Sequence, residues 1–221
     1  MMRTYFVVVP VYNEQKHIGR CIKHIQKYWK HIIVVNDGST DDTAQILNRF
    51  RSIHVIHLPT NKGKGYAMLE GAKLAWKKNA KGIVFVDGDN QHNPVHIKFF
   101  IKALKHADIA IGIRLLKTQI PFYRKLGNNI MAWVMQSLFS LSIPDILCGF
   151  RAMTQKGFKQ VRWSSHGYGV EVEMLTKIGA KKLPFTTLVV DTIYQDKYKG
   201  FSIKDGLKIL FSLPRWKWSR S

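Results

Sequence analysis

The chain has 221 residues, 46% of them hydrophobic and 22% charged, with 35 Lys and Arg against 14 Asp and Glu, a formal net charge of +21. That is enough apolar side chain for one sizeable core, which excludes a disordered chain, and two cysteines are too few for a disulfide scaffold. So positive a balance calls for an acidic partner, nucleic acid or an anionic membrane surface; the basic residues are spread along the chain without a nucleic-acid-binding motif, so nucleic acid is not expected.

Residues 5–10 form a β-branched and aromatic run that ends at Pro10 and reads as a strand. It follows Arg3 at once, so no signal peptide is expected. Ile18, Cys21, Ile22, Ile25 and Trp29 then recur at helical spacing and predict an amphipathic helix over 14–29. A strand over 32–36 stops on Asp37 and the turn residue Gly38. Asp41 and Asp42 supply cap chemistry for a helix over 41–51, whereas Asp37 lies before the turn and is a candidate binding group. A strand over 53–58 and a helix over 64–78 lead to the most informative stretch.

That stretch is an apolar run over 82–87 that ends on Asp87-Gly88-Asp89, with Gln91 and His92 next and a helix over 94–105 beyond. Two carboxylates and an amide spaced two apart on a tight loop can converge oxygens on one point. Mg²⁺ and Mn²⁺ take such ligands and share them with substrate phosphates. The carboxyl end of a strand is also where open α/β sheets bind ligands. A solvated acidic turn is the plainer reading. A last strand over 108–112 points Arg114 toward the same end. Strands alternating with helices predict one α/β domain with a mainly parallel sheet and helices on both faces.

Residues 126–144 carry no charge but are too polar for a membrane span. They read as a helix with a broad apolar face, either an ordinary core helix or one lying at a membrane interface with Arg124 and Lys125 toward lipid phosphates. Residues 201–213 form a second amphipathic piece, followed by Trp216 and Trp218 among cations, which suits the headgroup layer. Cys21 and Cys148 have no metal-type spacing and are expected as reduced thiols in the cytoplasm.

In chain order, Pro10-Val11-Tyr12-Asn13-Glu14, Val35-Asn36-Asp37-Gly38-Ser39, Asn61-Lys62-Gly63-Lys64-Gly65 and Asp87-Gly88-Asp89-Asn90-Gln91-His92 resemble the family-2 glycosyltransferases. Cys148-Gly149-Phe150-Arg151, Gly167-Tyr168 and Glu171-Val172-Glu173-Met174 extend the likeness over residues 5–212 and bring it closer to the polyprenyl-phosphate glycosyltransferases, typified by dolichol-phosphate mannosyltransferase.

The resemblance implies the glycosyltransferase A fold, a Rossmann-like nucleotide-binding half over about 1–115 joined to an acceptor half with amphipathic helices over about 116–221. It implies an inverting transfer from a nucleotide-diphosphate sugar to a polyprenyl phosphate. Pro10, Tyr12, Glu14, Val35, Asp37, Asp87 and Gly88 would bind the nucleotide. Asp87, Asp89 and Gln91 would hold Mg²⁺ or Mn²⁺, and Asp87, Asp89 and Arg114 would carry catalysis. Arg114, Arg124 and Lys197 would meet phosphate, since an anionic acceptor needs cations rather than a general base.

Two departures stand out. Asn36 occupies a position often acidic in the family, and Lys197 stands where relatives usually have arginine, which turns a bidentate clamp into a point charge. An acceptor bearing a saccharide or protein hydroxyl is the alternative; it would need a carboxylate base, with Asp145 and Glu171 available. A basic nucleic-acid-binding protein that kept the fold is a third reading, opposed by the intact carboxylates at 37, 87 and 89. Attachment is expected to be peripheral, on the cytoplasmic face of the membrane, directly or through a membrane-protein partner.

Overall fold

The computed structural model describes residues 4–114, 122–167 and 169–191 and Ser212, with the backbone alone over 122–128. Among the described residues seven strands form one sheet: β1 (Tyr5–Val11), β2 (Ile32–Asn36), β3 (His54–His57), β4 (Gly82–Phe85), β5 (Ile109–Arg114), β6 (Arg151–Thr154) and β7 (Thr186–Val190). Their order across the sheet is β3-β2-β1-β4-β6-β5-β7. All neighbours are parallel except β6, which runs antiparallel to both β4 and β5.

The helices are α1 (Ile18–Gln26), α2 (Thr43–Leu47), α3 (Lys64–Lys77), α4 (Ile97–Ala103, after a 3-10 turn at Pro94–His96), α5 (Phe122–Phe139), α6 (Gln155–Val161) and α7 (Val170–Ala180). Alternate residues of β1 leave opposite faces of the sheet, as the strand period requires. Phe6 and Val8 join the core beneath α3, α5, α6 and α7, while Tyr5, Val7, Val9 and Val11 join the core beneath α1 and α4. Both faces of β1 are therefore dry, which explains why it reads as an unbroken apolar run.

Several expected helices are shorter in the structure. Over 14–17 the chain is a turn in which the Glu14 carbonyl accepts from His17 N and Ile18 N, both at 2.9 Å, and the helix starts only at Ile18. Of the two expected caps, Asp41 accepts from Thr43 N at 3.0 Å, while Asp42 makes no side-chain capping bond. Helix α5 has two characters. Met131, Met135 and Phe139 are buried and pack toward α7, while Ile130, Trp133 and Leu138 are exposed, Trp133 by 69%. Among the described residues no helix is long and apolar enough to cross a membrane. Residues 201–211 and 213 of the expected C-terminal amphipathic piece lie outside the described residues.

Candidate active site

Because β2, β1 and β4 are parallel neighbours, the segments that follow them leave the sheet on one edge. Tyr12–Glu14, Asp37 and Asp87–Gln91 are thus gathered by topology alone. Residues 88–91 are held in shape locally. Asn90 adopts a left-handed φ of 59°, which asparagine tolerates, and its Oδ1 lies 3.1 Å from His24 Nδ1 on α1. Asp89 Oδ1 accepts from Gln91 N at 3.0 Å.

Each oxygen of Asp87 has a partner. Its Oδ1 is 2.6 Å from Lys64 Nζ, and its Oδ2 is 3.2 Å from His92 Nε2. An Nε2–H donor leaves His92 Nδ1 a bare acceptor, and that atom is buried without a partner among the described residues. Burial alone would lift the Asp87 carboxyl; the charge of Lys64 and the bond from His92 outweigh it and hold the group well below the usual carboxylate range. Gly149 lies against the same carboxylate, since a Cβ there would come within 2.4 Å of Asp87 Oδ2.

Asp89 differs. Its carboxyl is pushed upward by burial and by the charge of Asp87, and its Oδ2 has no hydrogen-bond partner among the described residues. The Gln91 carboxamide likewise has none among them. Among the described residues no three His, Cys, Asp or Glu side chains converge as a closed metal site. One carboxylate oxygen destabilised by a like charge, beside a spare amide, nevertheless fits a hard cation that draws its other ligands from phosphates and water, as Mg²⁺ and Mn²⁺ do.

Asp37 is buried and accepts from Lys62 N at 2.8 Å and Gly63 N at 2.7 Å, so it fixes the entry to α3 and places its charge at that helix's positive end. Gly63 has a φ of 95°, and its missing Cβ leaves room for the His166 carbonyl, which accepts from Gly65 N at 2.6 Å. Glu173 holds residues 164–165 in turn, accepting from Ser164 N at 2.9 Å and Ser165 N at 2.8 Å and pairing with Lys177 at 3.0 Å.

The remaining nucleotide candidates divide by exposure. Tyr12 is 44% exposed, able to pack on a ring. Glu14 is half-buried and 2.9 Å from His17 Nδ1. Pro10 is buried in register with Val35, and the Val35 side chain belongs to the core beneath α3, leaving only its backbone for a ligand. Gly88 packs against Val11 and the Pro10 carbonyl.

Arg114 ends β5 and meets Asp145, which is buried. Asp145 Oδ2 accepts from Arg114 Nε at 2.7 Å and from its backbone N at 3.0 Å; Oδ1 accepts from Nη2 at 2.9 Å. Lys197 and the side chain of Arg124 lie outside the described residues. Two groups escaped the reading of the sequence as functional. Lys64 was visible only as part of a Gly-Lys-Gly motif. Arg151 is 1% exposed and donates to the carbonyls of Cys148, Ile146 and Glu171 at 3.1, 2.8 and 2.7 Å, which ties the loop before β6 to the start of α7.

A seven-stranded, mostly parallel sheet with paired carboxylates at a strand's carboxyl end is the glycosyltransferase A arrangement. The structure resembles that of glucosyl-3-phosphoglycerate synthase from Mycobacterium tuberculosis, solved with Mn²⁺, uridine diphosphate and phosphoglyceric acid, with a TM-score of 0.74 over 99% of this chain and 80% of that one at 18% identity. Residues 6–179 match Glycosyl transferase family 2, and the chain belongs to that family: it is a glycosyltransferase.

Two relatives narrow the neighbourhood. The UDP-N-acetylglucosamine–dolichyl-phosphate N-acetylglucosaminyltransferase of Methanococcus voltae is 26% identical over 94% of each chain. The polyprenol monophosphomannose synthase of Mycolicibacterium smegmatis is 25% identical over 95% of this chain and 85% of that one.

Proposed function

We propose that this glycosyltransferase moves a sugar from a nucleotide-diphosphate sugar to a polyprenyl phosphate at an anionic membrane surface, assisted by one divalent cation. The names of the two relatives support the acceptor class, and their different sugars leave the donor sugar open. The observation that carries the acceptor choice is the state of the two carboxylates that a hydroxyl acceptor would need as base. Asp145 is forked onto Arg114, and Glu171 Oε1 lies 2.7 Å from Lys64 Nζ. Both carboxylates already face a cation, whereas a phosphate monoester carries an anionic oxygen near neutral pH and needs no base to expose its nucleophile.

An acceptor phosphate oxygen forms the new bond to the anomeric carbon while the bond to the diphosphate breaks on the opposite face, so configuration inverts. Tyr12, Glu14 and Asp37 hold the nucleoside end. Asp145 fixes the plane of the Arg114 guanidinium, which meets the incoming phosphate; Arg124 and Lys197, on the family resemblance, are the further candidates to meet phosphate. Mg²⁺ or Mn²⁺, bound by Asp89 and Gln91 beside Asp87, would stabilise charge on the departing diphosphate. Exposed Ile130, Trp133 and Leu138 on α5, together with the +21 charge, favour the membrane surface.

The test is transfer of radiolabelled sugar from nucleotide donors to a polyprenyl phosphate, its neutral alcohol and a soluble glycan. Label moving only to the phosphate is expected. Equal transfer to phosphate and alcohol, or transfer to glycan alone, would favour the saccharide-type alternative. Sedimentation with anionic vesicles at low salt, reversed at high salt, is the expected membrane behaviour; no sedimentation at low salt removes that part of the reading.

A further inference from the structure

Lys64 is an unusual first residue for a helix, because a cation there opposes the helix dipole. Its side chain is only 17% exposed and is held by two carboxylates from separate elements, Asp87 Oδ1 at 2.6 Å beyond β4 and Glu171 Oε1 at 2.7 Å on α7. The glycines on either side allow this approach, since a Cβ at Gly65 would lie 2.0 Å from the Ser165 carbonyl and one at Gly63 would lie 2.4 Å from the His166 carbonyl. The ammonium therefore sits where the segment before α3, the segment after β4 and α7 meet. Burial works against its charge, but the two carboxylates hold it above the usual lysine range.

We propose that Lys64 is a positioning residue: a resident cation that reserves Asp87 for itself and so leaves Asp89 as the carboxylate that takes the divalent cation. The inference rests on the cation named above and adds a division of labour between the paired carboxylates. A divalent ion that took Asp87 Oδ1 would set its charge against the ammonium of Lys64, 2.6 Å from the same oxygen, and so tend to displace it. That would leave Glu171, whose side chain is 4% exposed, with the buried Arg151 as its remaining neighbouring cation, an unfavourable loss of half its charge compensation. Asp87 Oδ2 is taken as well, by His92. Lys64 thus keeps Asp87 from joining Asp89 as a second carboxylate ligand to the ion.

The experiment measures Mn²⁺ binding by calorimetry and by electron paramagnetic resonance on purified, folded protein, with the nucleoside diphosphate present. The proteins are wild type, Asp87→Asn, Asp89→Asn, Lys64→Met and Lys64→Met/Glu171→Gln. The double variant removes both halves of the buried pair and guards against misfolding of Lys64→Met. Asp89→Asn is expected to abolish binding and Asp87→Asn to retain it. The double variant is expected to bind Mn²⁺ at least about tenfold more tightly than wild type, since affinity for such ions rises with the number of carboxylate ligands. A merely structural lysine would give unchanged or weaker binding, and that result overturns the proposal. So does a wild type that binds Mn²⁺ through Asp87 rather than Asp89. A wild type that binds no Mn²⁺ removes the cation from the proposed function and this inference with it, an outcome distinct from either of those.

Discussion

Replacing Asp145 by asparagine keeps the shape of the side chain and removes its charge. In the native site one carboxylate takes three N–H groups of Arg114, at 2.7, 2.9 and 3.0 Å, and is itself buried. Asparagine leaves one good acceptor, facing Nε and the backbone N–H, and turns its own NH₂ against Nη2. One charge-assisted bond, worth roughly 1.5–3 kcal/mol, is lost and the others fall to the neutral value. Arg114 is 24% exposed, so water recovers part of this. The expected loss is about 2–3 kcal/mol by the same scale. For a chain of this size that lowers the unfolding midpoint by about 4–12 °C. The functional signature should be selective. The acceptor KM should rise about tenfold, the equivalent of about 1.4 kcal/mol, while the donor KM stays where it was. Urea unfolding and a two-substrate titration read both. Stability within about 0.5 kcal/mol of wild type, or equal loss of donor and acceptor affinity, would refute the role given to this pair.

Gly149→Ala should cut turnover and cost about 1–3 kcal/mol, because its methyl would lie 2.4 Å from Asp87 Oδ2; wild-type rates in steady-state assays would mean the loop yields freely. Burial raises the Glu173 carboxyl, but hydrogen bonds from Ser165 and Ser164 and the Lys177 ion pair prevail and hold it below its ordinary 4.5. A lowered folded value means stability that is present above 4.5 and drains away as pH falls through the folded value. Wild type should therefore lose stability on acidification below that point more steeply than Glu173→Gln, and parallel urea-unfolding curves across the range would contradict it. Asp37→Ala should weaken nucleotide binding in calorimetry, since two N–H groups at the start of α3 lose their acceptor. Asp41→Ala should cost about 1 kcal/mol of stability with affinity intact; equal affinity loss at both positions would misplace the pocket.

Strands β1, β2 and β4 were legible because each is an apolar run with a sharp end, Pro10 for β1 and a carboxylate for β2 and β4, the pattern of a strand buried on both faces. Strand β6 was not. Arg-Ala-Met-Thr has no strand composition, and its conformation comes from pairing with β4 and β5 on either side. Helix α7 lacked a readable stripe because Val170 through Ile178 are all buried, two glutamates included, so no polar face marks its period. β7 carried a β-branched signal in Thr186–Val190 that the reading of alternating strands and helices stopped short of.

At the site, the Asp87 and Asp89 loop could be placed at a strand end from local spacing. The engagement of Asp87 by Lys64, and of Asp145 by Arg114, could not, because each pair joins elements whose meeting is decided only by the sheet order. Glu171 illustrates the limit best. As a sequence position it is a spare carboxylate, and in the fold it is a counter-ion.

The reversed strand has a consequence for how the chain can be divided. β4 and β5 never touch; β6, made some forty residues after β5 by the numbering, fills the gap between them. A fragment ending at residue 114 would carry every nucleotide-binding candidate and would still present β4 with one bare edge and β5 with two. Unpaired edges of that kind recruit one another in solution. Ribosomal synthesis passes through the same state, so β4 and β5 must wait for β6 before either is sealed. Expression of the first half alone should accordingly give aggregate rather than a small nucleotide-binding protein.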